Sequence, residues 1–100
     1  MLEFVFAILT AAGAAWAEVH HVDISNIKFA PESLTVHVGD EIVWENKDLV
    51  PHTVTALDKA FDSGQLDNGK SFKWKAKKAG KHAYKCNFHP TMTCELVIQK

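Results

Sequence analysis

One hundred residues are enough for one domain and not for two. Eleven lysines, no arginine and twelve acids leave the chain near neutrality, which excludes nucleic acid as its main ligand, because phosphate recognition asks for a basic domain and usually for arginine. No nucleophile–base pair and no phosphate-binding loop is evident, so hydrolytic and transfer enzymes are set aside and the chain reads as a non-enzyme.

The first element is MLEFVFAILTAAGAAWA, residues 1–17. It is apolar from Phe4 to Ala12, too short for a comfortable membrane span, and ends in the small-x-small pattern Ala15-Trp16-Ala17. This predicts a secretory signal cut after Ala17, a periplasmic or otherwise exported domain over 18–100, and no stable membrane insertion after cleavage. Glu3 and the lack of Lys or Arg before the apolar run depart from the usual pattern, and an uncleaved N-terminal anchor is the alternative. Cleavage would leave Glu18-Val19-His20 at the amino terminus. A third-position histidine with a free amine can wrap Cu(II) in four nitrogens. The preferred expectation is plainer: His20 and His21 open a first strand.

Alternation of apolar and polar residues then recurs along the chain. Val22 and Ile24 begin it. Leu34, Val36 and Val38 are expected on one face, up to a turn at Gly39-Asp40. Ile42 and Trp44 share a face, and HTVTA, residues 52–56, is expected to extend next. Phe72, Trp74 and Ala76 alternate with Lys73, Lys75 and Lys77, which makes one buried and one wet face. The lysines belong to a wider asymmetry: residues 18–69 hold ten acids and three lysines, and residues 70–100 hold eight lysines and one acid, Glu95. His82, Tyr84 and Cys86 follow on one face, and Cys94, Leu96 and Ile98 close the chain on another. Short strands separated by turn residues predict an all-β sandwich or barrel. His37 and His82 are expected as strand histidines, and Trp44 and Trp74 as core aromatics.

The chemistry concentrates in YKCNFHPTMTC, residues 84–94. Cys86, His89 and Met92 stand at three-residue intervals, and all three side chains bind soft metals. His52, behind Pro51 and in parity with Val54, is the candidate fourth donor. One thiolate, two imidazoles and a thioether form the ligand set of an electron-transfer copper centre. Cys94 offers a competing reading, a Cys86–Cys94 disulfide that would remove the thiolate.

In order along the chain, GDEIVWENKDLVPHTV, FDSG and GKSFKWKAKKAGKHAYKCNFHPTM resemble the cupredoxins, most closely the plastocyanin–amicyanin branch. The resemblance covers nearly all of 18–100. It implies a Greek-key β-sandwich of about seven to eight strands, with one type 1 copper ion held by His52, Cys86, His89 and Met92. It implies His89 as the partly exposed ligand and the electron's exit. Phe88, Pro90 and Pro51 flank the ligand residues and read either as plain packing or as an apolar patch on which a redox protein partner docks near His89, and the chain is expected to be a monomer. Two positions depart from the family. Thr53 stands where asparagine commonly ties the ligand loops together, and reaches less far. Cys94 stands where glycine is usual. A one-electron carrier is the favoured function; copper delivery without redox turnover and a metal-free disulfide module are the alternatives.

Overall fold

The computed structural model describes residues 16–100, so the expected signal segment lies almost wholly outside the described residues. The alternating runs form eight strands, and there is no helix among the described residues. In chain order they are β1 (Val19–Ser25), β2 (Lys28–Ala30), β3 (Ser33–His37), β4 (Glu41–Asn46), β5 (Thr55–Ala56), β6 (Ser71–Lys75), β7 (Gly80–Lys85) and β8 (Thr93–Gln99). Two four-stranded sheets result, ordered β2-β1-β4-β6 and β3-β8-β7-β5. The pairs β1·β4 and β3·β8 are parallel, which sequential hairpins cannot produce. The chain therefore crosses repeatedly between sheets, and the architecture is the expected Greek-key sandwich.

Period-two patterning explains the core. Val22 and Ile24 of β1, Ile42 and Trp44 of β4, Val36 of β3 and Leu96 of β8 are all fully buried between the sheets. Burying each such side chain contributes about 1.5–3 kcal/mol. Trp44 stands edge-on to Tyr84, ring centroids 5.6 Å apart, and its indole N–H donates to the Tyr84 hydroxyl at 3.1 Å. That bond supplies a buried indole with the partner it needs and links the two sheets across the core.

Three expectations are corrected in detail. Val38 does not continue the inward face of Leu34 and Val36. Its strand ends at His37, Gly39 turns the chain at φ 100°, and Val38 is 42% exposed. Only Thr55–Ala56 of the 52–56 stretch forms a strand. His52 instead pairs by backbone with Leu66, at 3.0 and 2.8 Å, and the Val54 N–H is taken by Ser63 Oγ at 2.8 Å. Trp74 and Phe72 are half-buried because β6 is an edge strand. Phe61 caps Trp74 at 4.6 Å between ring centroids. The lysines of β6 face water, as expected, and also discourage pairing at that edge.

Parallel pairing of β1 with β4 sorts the ends of the molecule. Their first residues gather at one pole, where the Glu41 N–H donates to the Glu18 carbonyl at 2.9 Å. Their last residues gather at the other pole. There β4 runs into the loop that carries His52, and β7 runs into Cys86.

Candidate metal centre

His52 is placed by the loop after β4, and that loop is stapled by one buried side chain. Asn46 donates from Nδ2 to the carbonyls of Val50 and Leu66, both at 2.9 Å, while its Oδ1 accepts the Asp48 N–H at 2.8 Å. Asp48 then reaches His52: its Oδ2 lies 2.8 Å from His52 Nε2. The same carboxylate accepts the N–H groups of Asn26 at 2.8 Å and Ile27 at 2.9 Å, in the β1–β2 turn. Burial pushes the Asp48 carboxyl upward, but the Ile27 N–H, the His52 imidazole and the Asn26 N–H outweigh it, so the group lies below the usual carboxylate range. An ionised Asp48 can only accept. The proton of His52 is therefore held on Nε2, and the Nδ1 lone pair is left to face the interior.

That Nδ1 points at a thiol. Cys86 Sγ is fully buried, 3.6 Å from His52 Nδ1 and 3.8 Å from His89 Nδ1. Donor atoms of the three residues all lie within 4.8 Å of one another. The two imidazoles face each other with ring centroids 4.8 Å apart. Cys86, His89 and Met92 share one tight loop because the backbone closes on itself: Met92 N–H donates to the His89 carbonyl at 2.8 Å and Cys86 N–H to the Met92 carbonyl at 3.2 Å. Met92 is buried and His89 half-buried. The four residues expected from the sequence thus sit on two adjoining loops at one pole.

Thr53 does more than its length suggested. Its backbone N–H donates to Cys86 Sγ at 3.4 Å, and its hydroxyl accepts the Asn87 N–H at 2.9 Å. The hydroxyl proton passes on to Thr55 Oγ1 at 2.9 Å, which donates to Asp62 Oδ1 at 3.1 Å. A threonine ties the two ligand loops by main chain and side chain together.

Cys94 faces elsewhere. Both cysteines are free, and the cross-strand partner of Cys94 is Tyr84, two positions short of Cys86. Diagonal neighbours of that kind have Cα atoms about 7–8 Å apart, beyond what a disulfide spans without backbone movement. Cys94 Sγ instead contacts the Pro31 carbonyl at 3.7 Å. Burial pushes its thiol up, helped by the charges of Glu32 and Glu95, so it stays protonated.

His20 is a strand residue, as preferred. Its Nε2 is 2.9 Å from Asp40 Oδ2, and the Glu18 N–H donates to Asp40 Oδ1 at 3.0 Å. Both groups that would wrap Cu(II) are thereby engaged by one carboxylate.

The donor chemistry fits a transition metal of borderline softness: one thiol with two imidazole Nδ1 atoms within 3.8 Å of it, and a thioether on the same loop as the thiol. A sequence profile of the cupredoxin-like domain family matches residues 1–98. The chain belongs to the cupredoxins. Among curated proteins this cupredoxin is 28% identical over 83 residues to amicyanin of Paracoccus denitrificans, covering 78% of this chain and 63% of that protein. It is 23% identical over 94 residues to amicyanin of Paracoccus versutus, covering 89% and 71%. Among solved structures, a Cu(I) form of an amicyanin variant superposes with a TM-score of 0.76 at 26% identity, over 81% of this chain and 82% of that one. A purple cupredoxin from Nitrosopumilus maritimus shares the fold, with a TM-score of 0.75 at 24% identity over 80% and 99% of the two chains.

Asp48 and Asn46 were not singled out from the sequence. An acid four residues before a candidate ligand, in DLVPH, is a signal that could have pointed to Asp48. Nothing local marks Asn46, whose role depends on Leu66 from a distant loop.

Proposed function

We propose that this cupredoxin is an exported one-electron carrier with one copper ion held by His52, Cys86, His89 and Met92. The observation that carries the proposal is the convergence of two imidazole Nδ1 atoms, at 3.6 and 3.8 Å, on a single buried thiol. Bound copper would supply a Cu(I)/Cu(II) couple. The protein's own groups do the rest. Asp48 keeps the proton on the far nitrogen of His52. The Thr53 N–H donates to the Cys86 sulfur and fixes its position. Hydrogen bonds from Asn46, Asp48 and Thr53 hold both loops in place. Burial of Cys86 and Met92 keeps water from the site, while half-buried His89 gives an electron a short route out.

The same two loops expose Leu49, Val50, Phe88 and Pro90, which form an apolar rim suited to docking a redox protein. Leu49 and Val50 extend the rim expected from Phe88, Pro90 and Pro51. Export is supported by the small-x-small end of the first seventeen residues. Among the described residues no helix is long and apolar enough to cross a membrane. The single methionine of residues 18–100 favours a carrier over a delivery protein, which would gain from additional thioether donors.

The test is optical and electrochemical. Copper-loaded protein should show an intense red-absorbing thiolate-to-Cu(II) band, absent in Cys86→Ala, and a reversible one-electron wave. Loss of copper to a chelator during redox cycling would support delivery instead. A band that survives Cys86→Ala would remove the ligand assignment.

A further inference from the structure

The pole away from the ligand loops holds a buried carboxylate with too little positive charge around it. Asp40 is 3% exposed. Its Oδ2 accepts the His37 N–H and faces His20 Nε2, both at 2.9 Å, and its Oδ1 accepts the Glu18 N–H at 3.0 Å. Burial pushes this carboxyl up, yet the N–H groups of Glu18 and His37 and the His20 imidazole hold it at about 2. It is ionised at any ordinary pH. Buried charges are as a rule paired. Among the described residues, the imidazole of His20 is the one basic side chain within 4 Å of the Asp40 carboxylate.

Glu18 directly follows the expected cut. Trp16, Ala17 and Glu18 are exposed and outside any strand, so the Ala17–Glu18 bond is open to a peptidase. We propose that hydrolysis of this bond converts the Glu18 N–H into an α-ammonium that stays on Asp40, making Asp40 the seat of the mature amino terminus.

The inference rests on residues 1–17 being a signal. In the step, water adds across the amide, catalysed by an endopeptidase that selects small-x-small sequences. The carbonyl carbon of Ala17 takes the oxygen and leaves as a carboxylate. The Glu18 nitrogen keeps the bonding pair, takes up protons and becomes an ammonium, with no net oxidation or reduction.

One neutral donor is thereby replaced by a cation with three. The surroundings favour positive charge: besides Asp40, the Glu18 carboxylate lies 3.8 Å from His20 Nε2, and Glu41 is the next residue of β4. Two groups could oppose it: His20, and Lys75 of β6, which stands across from Glu41 in the strand pair. The new pair would fasten the start of β1 beside the start of β4, where Glu41 already bonds Glu18. Position is selective. A cut one residue away moves the charge by about 3.3 Å along the strand, out of contact with Asp40.

Among the described residues every buried one lies between Val22 and Ile98, so a chain beginning at Glu18 keeps that whole core. The test compares a chain beginning at Glu18 with one beginning at Ala17, each with and without Asp40→Asn. At about pH 6 the Glu18 form should melt about 4–8 °C higher, and Asp40→Asn should close the gap. The ammonium gains a partner on folding, so its folded-state pKa is raised. Its stabilisation is complete below the ordinary range of about 7.7–8.0 and is lost as pH rises through the raised value. The gap should therefore also close in alkali. Equal melting of the two forms at about pH 6, or a gap that persists in Asp40→Asn, would overturn the seat. Intact mass of protein exported from the full-length chain checks the cut separately: a start other than Glu18 would overturn the processing step.

Discussion

Replacing Asp48 with asparagine tests whether this carboxylate organises the metal site. Three donors converge on it: Asn26 N–H at 2.8 Å, Ile27 N–H at 2.9 Å and His52 Nε2 at 2.8 Å. Asparagine has almost the same shape but only one oxygen. With its oxygen toward Ile27 and His52, its amide nitrogen meets the Asn26 N–H. In the other orientation it meets the other two donors. At least one donor is left unpaired, which costs about 1–3 kcal/mol, and the remaining bonds lose their charge assistance. The copper-free protein should lose about 2–3 kcal/mol, measured by urea unfolding, and still fold, since domains of this kind hold about 5–15 kcal/mol. His52 would also lose the anion that keeps its proton on Nε2. Copper affinity should fall about 10–100-fold in competition with a chelator, as is usual when a ligand's hydrogen-bond partner is removed. The thiolate band should remain, because Cys86 is untouched. A stability change below about 0.5 kcal/mol together with unchanged affinity would refute this account of Asp48.

Cys94→Ala should keep the thiolate band and cost about 1 kcal/mol of apolar burial. Mass spectrometry of the copper-free wild type held in air should find two free thiols, since Cys86 and Cys94 are out of disulfide register; an intramolecular bridge would contradict that register. The Asp40 carboxyl, held at about 2 against an ordinary 3.8, stabilises the fold above 3.8 and loses that contribution as pH falls through about 2. After allowance for solvent screening the loss should be about 1–2 kcal/mol, and Asp40→Asn should flatten acid unfolding over that window. Ile27 is a β-branched residue at φ 57°, which costs about 1–2 kcal/mol; Ile27→Gly should recover about 1 kcal/mol in thermal melts, and a loss of stability would show that its half-exposed side chain matters more than its backbone.

Period-two patterning was enough to place Val22, Ile24, Ile42, Trp44, Leu96 and Ile98 inside a β-sandwich, because a strand has only two faces and one must be apolar. Spacing and donor type were enough to single out Cys86, His89 and Met92, because a loop that short must bring its donors together. His52 was marked by Pro51 before it and by parity with Val54, although only Thr55–Ala56 of that stretch is a strand. What failed or went unseen depended on partners far away in the chain. The 52–56 stretch looks extended but is claimed by Leu66 and Ser63, so most of it is not a strand. Thr53 reaches less far than asparagine would, yet it joins the loops because Asn87 and Cys86 approach it closely. Cys94 is inward by parity, yet inward at that register means Tyr84 rather than Cys86. Asp48 carries only the local signal of an acid four residues before His52, and Asp40 only that of a turn residue. Most of the donors around them, Glu18, His20, Asn26 and Ile27, come from about twenty positions away, brought close by the parallel pairing of β1 and β4, and long-range pairing of that kind leaves no periodic trace in a single chain.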